Sequence, residues 1–221
     1  MSAHADPYVE AILLAAGESS RMGSPKPLIE WEGEPLVCYQ IGQLLRAGVT
    51  RVTVVVGHAE RDVRAAIAGC DHPAGAVTVV ANSLYRTSKA SSVRVGAEAL
   101  SGRATGILVI AVDQPRPAEL IARMISAHGT APSRIIVPVH GGRRGHPVLF
   151  PSDLVGELAR VDDETLGIRA ALARHDREVL ELAVASRAVL LDINDAASLT
   201  AARTAWQAEI VQGASHPVLE S

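Results

Sequence analysis

Residues 13–29 read LLAAGESSRMGSPKPLI. An apolar run ends in Gly17, passes through small and acidic residues, then presents Arg21, Gly23 and Lys26, with the lysine held between Pro25 and Pro27. A strand followed by a small-residue turn lets backbone N–H groups approach a ligand, and the two cations beside it point to an anion. Arg21 can grip phosphate oxygens in a bidentate way, and Lys26 can serve as a point charge. Two familiar phosphate loops are excluded by spacing. A P-loop needs Gly-x4-Gly-Lys-Ser/Thr, whereas here Gly17, Gly23 and Lys26 are separated by five and then two residues. The dinucleotide fingerprint fails too, because Ala15 and Ala16 precede a single glycine. On these residues alone, a mobile surface loop with incidental charges stays open as the other reading.

Outward from this loop, the chain alternates strand-length apolar runs with helix-period segments. The runs are Val9–Leu14, Val52–Val56, Val77–Val80, Ile107–Val112, Ile135–Val139 and Val189–Ile193. Most do not alternate apolar with polar, so both faces of each strand are expected to be buried, as in a parallel sheet covered on both sides. Val37, Ile41, Leu44 and Leu45 share a helix face, which Gly48 closes. Leu120, Ile121, Met124 and Ile125 mark a second helix, and Leu199, Ala202, Trp206 and Ile210 a last one, capped by Asn194 or Asp195. The expected fold is α/β: a single doubly wound, mostly parallel sheet with helices on both faces. One domain over 1–221 is expected, with a loose tail from about 213.

Composition agrees and narrows the function classes. Of 221 residues, 48% are hydrophobic but only 3% aromatic, so the core must be built from Val, Ile, Leu and Ala. The net charge of −3 and the lack of a Lys/Arg run argue against nucleic-acid binding. The start, MSAHADPYVE, lacks the basic and apolar parts of a signal peptide, and no apolar run has membrane-spanning length. A cytoplasmic protein is expected. Cys38 and Cys70 have no metal-ligand spacing and are expected to be reduced thiols.

Ligands of such sheets bind at the carboxyl ends of the strands. The first run delivers Gly17 to Lys26 there, the second Gly57 and His58, the fourth Asp113, and the last Asp192. Glycine, cation and two carboxylates converge, as a metal–nucleotide site requires.

The stretch Leu14–Lys26, LAAG-x-S-x-R-M-G-x-P-K, resembles the signature loop of the molybdenum cofactor cytidylyltransferase and MobA-like NTP transferase family. Asp113-Gln114-Pro115 resembles the family's metal-binding Asp-x-Pro, and Asn82 with Ser91-Ser92 its central nucleotide-side motif. Arg144 to Phe150, RGHPVLF, resembles its acceptor-side motif. Gly167 with Arg169, and Asp192-Ile193-Asn194, resemble later motifs. The chain departs from the family at Ser88 and Ala90, where glycines are usual, at Val112, and at Asn194-Asp195-Ala196 after Asp192-Ile193.

The resemblance implies a Rossmann-like nucleotidyltransferase that uses Mg²⁺ and transfers a nucleoside monophosphate to a phosphorylated acceptor, releasing pyrophosphate. Catalysis of this kind is mainly positioning and charge neutralisation. Leu14, Ala15, Ala16 and Gly17 would cradle the nucleotide, together with Asn82 and Ser91. Arg21 and Lys26 would neutralise the triphosphate and the transition state, and Arg144, Gly145 and His146 would hold the acceptor. Asp113 and Asp192 would hold the metal. On the residues alone each of these has a plainer reading: Asp113 and Asp192 as helix caps, and Gly141 to Gly145 as a hairpin loop. Asp162-Asp163-Glu164 reads as a solvated loop or helix start. His4, His72, His128, His140, His175 and His216 show no ligand spacing and are assigned no role, and His146 has a plain reading as a loop residue.

The form Ala15-Ala16-Gly17 resembles cytidylyl-transferring members, which implies CTP as donor and molybdopterin cofactor as acceptor, with a molybdenum hydroxylase as transient recipient. The alternatives are GTP, a different phosphorylated acceptor, or a non-catalytic protein that binds the molybdenum cofactor.

Overall fold

The computed structural model describes residues 7–19, 22–88, 90–162 and 168–214. Arg21, Asp163, Glu164, Gly167 and residues 215–221 lie outside them, as does the side chain of Ile210. In chain order the strands are β1 (Val9–Ala15), β2 (Glu30–Trp31), β3 (Glu34–Pro35), β4 (Arg51–Val56), β5 (Val77–Ala81), β6 (Gly106–Ala111), β7 (Ile135–His140), β8 (Arg143–Arg144), β9 (Val148–Pro151) and β10 (Val179–Ala183). The helices are α1 (Leu36–Arg46), α2 (Glu60–Ala68), α3 (Ser91–Glu98), α4 (Ala118–Thr130), α5 (Val155–Leu158), α6 (Ile168–Arg174) and α7 (Ala196–Ala214).

One eight-stranded sheet runs β10-β7-β9-β6-β1-β4-β5, with β8 paired to β7. β1 lies between β6 and β4 and is parallel to both, with Leu14 opposite Val55 on one side and Ala111 on the other. The expected parallel sheet is therefore present, and both of its faces are covered. Val9, Ala11, Leu13, Val54 and Ile110 pack with α1, α4 and α7 on one face. Ile12, Val55, Ile107 and Val109 pack with α3, α5 and α6 on the other. Alternate residues of each strand thus enter different cores, and the runs are mostly apolar, with Glu10 and Thr53 as buried exceptions. A β-carbon at Gly96 of α3 would overlap Ile12, so the missing side chain is what lets α3 sit this close to β1.

Three expectations need correction. The run Val189–Ile193 is not a strand: Arg187–Leu190 form a 3₁₀ turn, and a loop follows. Its carbonyls are taken elsewhere, Val189 O by His146 N–H at 3.0 Å and by the Arg116 guanidinium at 3.0 Å. The edge strand is instead β10, parallel to β7. A further strand unforeseen in the sequence, β9, runs antiparallel to β6 and β7 in the middle of the sheet. Finally, Cys38 and Cys70 are not free thiols but form a disulfide across 32 residues, with Cα atoms 5.6 Å apart. Adjacent packing of α1 and α2 brings them together, which sequence spacing could not reveal. The last helix extends to Ala214, into the stretch expected to be tail.

His128 of α4 is 1% exposed, and its Nε2 pairs with Thr105 O at 3.1 Å while Nδ1 has no hydrogen-bond partner. The bond to a carbonyl makes Nε2 the protonated nitrogen of a neutral ring. Burial lowers its pKa from the ordinary 6.5, opposed by the Thr105 carbonyl.

Two stability predictions follow from these features. Below pH 6.5 the unfolded chain takes up a proton at His128 that the folded chain resists, so stability falls as pH drops through that value. Urea unfolding between pH 7.5 and 5 should show this loss, and His128→Gln should make the profile shallower, leaving the share due to His146. Reducing the disulfide, or Cys38→Ser, should lower stability by roughly 2–4 kcal/mol, read from the unfolding midpoint with and without dithiothreitol.

Candidate functional site

The site opens where β1 and β6 end. Leu14, Ala15, Ala16 and Gly17 line one wall of a cavity of about 350 Å³, and Ala111, Val112 and Asp113 line another. Parallel neighbours release their loops on the same sheet edge, so residues far apart in sequence meet there.

Beyond Gly17 the loop is braced internally. Ser19 adopts a left-handed φ of 54°, its carbonyl accepts from Met22 N–H at 2.9 Å, and its Oγ accepts from Lys26 N–H at 3.0 Å. The 3₁₀ turn Lys26–Leu28, entered through Pro25, fixes the lysine backbone. Its Nζ donates to Asp113 Oδ2 at 2.6 Å and to Asn194 Oδ1 at 3.2 Å. The two ion-paired side chains are only 14% and 21% exposed, so solvent screens the pair weakly. Arg21, the other cation of the opening loop, lies outside the described residues.

The loop before α7 supplies Asn194. Ile193 N–H donates to Asp113 O at 2.8 Å and ties the two loops together. Asp195 is the helix cap, its Oδ1 accepting from Ser198 N–H at 2.8 Å. Asp192 does not line the cavity: its Oδ1 accepts from Gln114 Nε2 at 2.9 Å and lies 4.0 Å from the Arg116 guanidinium.

The central motif builds the far wall. Asn82 is buried, and its Nδ2 donates to Ser91 Oγ at 2.8 Å and Ser92 Oγ at 2.9 Å, while Oδ1 accepts from Leu84 N–H at 3.0 Å. Of these residues Ser92 reaches the cavity; Asn82 and Ser91 stand behind it as a frame. The frame positions Tyr85, which lines the cavity and packs on Gly57 so closely that a β-carbon there would lie 2.7 Å from its ring. Arg86 stacks on Tyr85 at 5.6 Å and pairs with Glu18 at 2.8 Å, bridging this loop to the one that follows β1.

Arg144, Gly145 and His146, the residues expected on the acceptor side, are not in the cavity lining and divide among different surroundings. The Arg144 guanidinium is engaged by Asp176 at 2.7 Å and Glu181 at 2.8 Å, on the side of β10 and the preceding turn. Gly145 has no room for a side chain, because a β-carbon would overlap Val189 O. His146 feels the charges of Asp113, Asp192, Arg116 and Arg169. Burial first, and then Arg116, lowers its pKa, so the ring is held neutral at pH 7.

Arg116 was not singled out from sequence, although it stands between Pro115 and Pro117. It is fully buried, with hydrogen bonds to the carbonyls of His146 (2.8 Å), Pro115 (2.9 Å), Leu191 (3.0 Å) and Val189 (3.0 Å). It staples the Asp113 loop to the loops carrying His146 and Asn194. Asn194 and Tyr85 were also missed as site residues; Asn194 lies within the quoted late motif, and Tyr85 sits between Asn82 and Ser91.

The arrangement suits a nucleotide: a backbone cradle, a cation, clustered oxygen donors and an aromatic wall. Comparison with known proteins agrees. The chain is 33% identical over 139 residues to the CMP-5'-(3-aminopropyl)phosphonate synthase of Streptomyces rubellomurinus, covering 60% of this chain and 22% of that protein. It is 34% identical over 133 residues to the 2-aminoethylphosphonate cytidylyltransferase of Lancefieldella rimae, covering 53% of this chain and 52% of that protein. The chain thus spans about half or less of the length of these relatives. Rv0371c from Mycobacterium tuberculosis H37Rv superposes with a TM-score of 0.75 at 27% identity, covering 89% of this chain and 98% of that one. A structure of that protein in complex with manganese gives 0.68 at 28% identity, covering 88% and 97%. The model of the MobA-like NTP transferase domain matches residues 11–179, and the chain belongs to that family.

Proposed function

We propose that the protein transfers CMP from CTP to molybdopterin cofactor, with release of pyrophosphate. The observation that carries nucleotidyl transfer is the meeting of Lys26 Nζ with Asp113 Oδ2 and Asn194 Oδ1 at the mouth of the Leu14–Gly17 loop. CTP as donor is supported by the Ala15-Ala16-Gly17 form and by the two relatives whose names carry cytidylyl chemistry. The molybdopterin acceptor is supported by Arg144 to Phe150, and a molybdenum hydroxylase would then be the recipient of the product.

An acceptor oxygen attacks the α-phosphorus, the bond from that phosphorus to the bridging oxygen breaks, and pyrophosphate leaves. An ionised phosphate needs no general base, so the side chains have to position and neutralise. The Leu14–Gly17 backbone would hold the nucleotide, Tyr85 would face its base or sugar, and Lys26, with Arg21, would offset the triphosphate charge. Neutral His146 would face the acceptor without adding charge.

The donor set fits a hard divalent cation. Among the described residues no group of three or more His, Cys, Asp or Glu gathers. Mg²⁺ commonly takes one or two protein oxygens and fills its octahedron with phosphate and water. Asp113 and Asn194 present two oxygens to a single positive centre, the Lys26 ammonium, and would hold the metal. Asp192, the sequence-derived second ligand, lies outside the cavity lining and accepts from Gln114 Nε2, so it would support the site from behind. When bound, the metal would neutralise phosphate charge and orient the α-phosphorus.

A second reading, a phosphonate acceptor, is favoured by the names of the same two relatives. Pyrophosphate release decides between them, with CTP, GTP or ATP offered alongside molybdopterin cofactor or 2-aminoethylphosphonate. CTP with molybdopterin cofactor should be the productive pair, and Asp113→Ala or Lys26→Ala should each lower kcat/KM by roughly 100- to 1,000-fold. Turnover with the phosphonate alone would replace the acceptor, and preference for GTP would replace the donor. No release from any pair would overturn both acceptors and turn the reading to a different phosphorylated acceptor or a non-catalytic protein that binds the molybdenum cofactor.

A further inference from the structure

The same three atoms carry an inference about the order in which ligands assemble, and it rests on the nucleotidyl-transfer reading above. Among the described residues, Lys26 Nζ is the one positive centre that Asp113 Oδ2 and Asn194 Oδ1 share, at 2.6 and 3.2 Å. We infer that Lys26 is a built-in counter-ion that keeps a divalent metal off Asp113 until nucleotide phosphates draw its ammonium away.

Mg²⁺ approaches oxygen to about 2.0–2.1 Å. A metal on Asp113 would have to share that carboxylate with an ammonium 2.6 Å from Oδ2, and two cations on one weakly screened carboxylate repel each other. Asn194 is neutral and cannot hold a metal alone. With the lysine in place, the free protein therefore has little affinity for metal. A triphosphate changes the balance. It offers Nζ several anionic oxygens in place of one carboxylate, and the four-carbon stem lets Nζ move while the backbone stays fixed between Pro25 and Pro27 by the bond to Ser19 Oγ. Asp113 and Asn194 are then released to the metal that arrives with the phosphates. Nucleotide and metal bind with positive coupling, and coupling between binding sites is reciprocal.

The signature is a pair of effects of opposite sign. Removing the Lys26 charge should tighten metal binding in the absence of nucleotide and weaken nucleotide binding in the absence of metal. A lysine that only stabilised the loop would weaken both.

Mn²⁺ binding, followed by the loss of its free electron paramagnetic resonance signal, tests this without turnover. Without nucleotide, Lys26→Gln should bind Mn²⁺ about tenfold or more tighter than wild type, within the roughly 5- to 150-fold span of coupled sites. Adding Asp113→Asn to that variant should abolish the gain, and Lys26→Arg, which keeps the charge, should leave Mn²⁺ affinity within about threefold of wild type. With EDTA present, CTP should bind Lys26→Gln about tenfold or more weakly. A readout needing no variant is wild-type Mn²⁺ affinity with saturating CTP, corrected for Mn–CTP in solution, which should exceed that of the free protein about tenfold or more. Unchanged or weaker Mn²⁺ binding by Lys26→Gln, or equal wild-type affinities with and without CTP, would overturn the inference. Failure of the wild type to bind CTP, GTP or ATP would instead overturn the nucleotidyl-transfer reading.

Discussion

The ion pair between Lys26 and Asp113 joins the ends of two strands that lie side by side but whose loops are 87 residues apart in sequence. Its geometry follows from the parallel pairing of β1 and β6, in which Leu14 faces Ala111. One loop brings a cation fixed by flanking prolines, and the other brings a carboxylate just past an apolar strand. The sheet beneath supplies the rigidity, and the pair supplies the electrostatic focus at its edge.

Around that focus the backbone is held by buried polar groups. Arg116 satisfies four carbonyls at once, and three of these bonds tie its loop to the loops carrying His146 and Asn194. Such a charge is tolerated inside because its donors are used and Asp192 stands 4.0 Å away. Asn82 does the same on the opposite wall with Ser91, Ser92 and the Leu84 amide. The cavity is thus framed on both sides by side chains that need not touch a ligand. Such supports hold contacting groups in place as effectively as the contacts themselves.

Much of this was legible in the residues. The long apolar runs announced a sheet buried on both faces, because alternate side chains enter two separate cores. Lys26 and Asp113 were legible because the fold rule sends strand ends to one edge. What was not legible depended on partners remote in sequence. Val189–Ile193 has the composition of a strand, yet Arg116 and the His146 amide capture the carbonyl of Val189. β9 is four residues long, and its place between β6 and β7 comes from a chain reversal that periodicity does not encode. The Cys38–Cys70 bond required knowing that α1 and α2 lie side by side. Asn194 and Asp195 were interchangeable as caps on paper; only the geometry gives the cap to Asp195 and turns Asn194 toward Lys26.

The central claim is that Asp113 and Asn194 form a cation site which Lys26 fills in the free protein and vacates for nucleotide phosphates. The most direct measurement is a crystal structure with Mn²⁺ and a CTP analogue that resists transfer, locating the metal by its anomalous signal. The expected result is one metal peak in coordination distance of Asp113 and Asn194, with Lys26 Nζ on the phosphates. A metal bound elsewhere, or a lysine still seated on Asp113 beside a bound nucleotide, would contradict the claim.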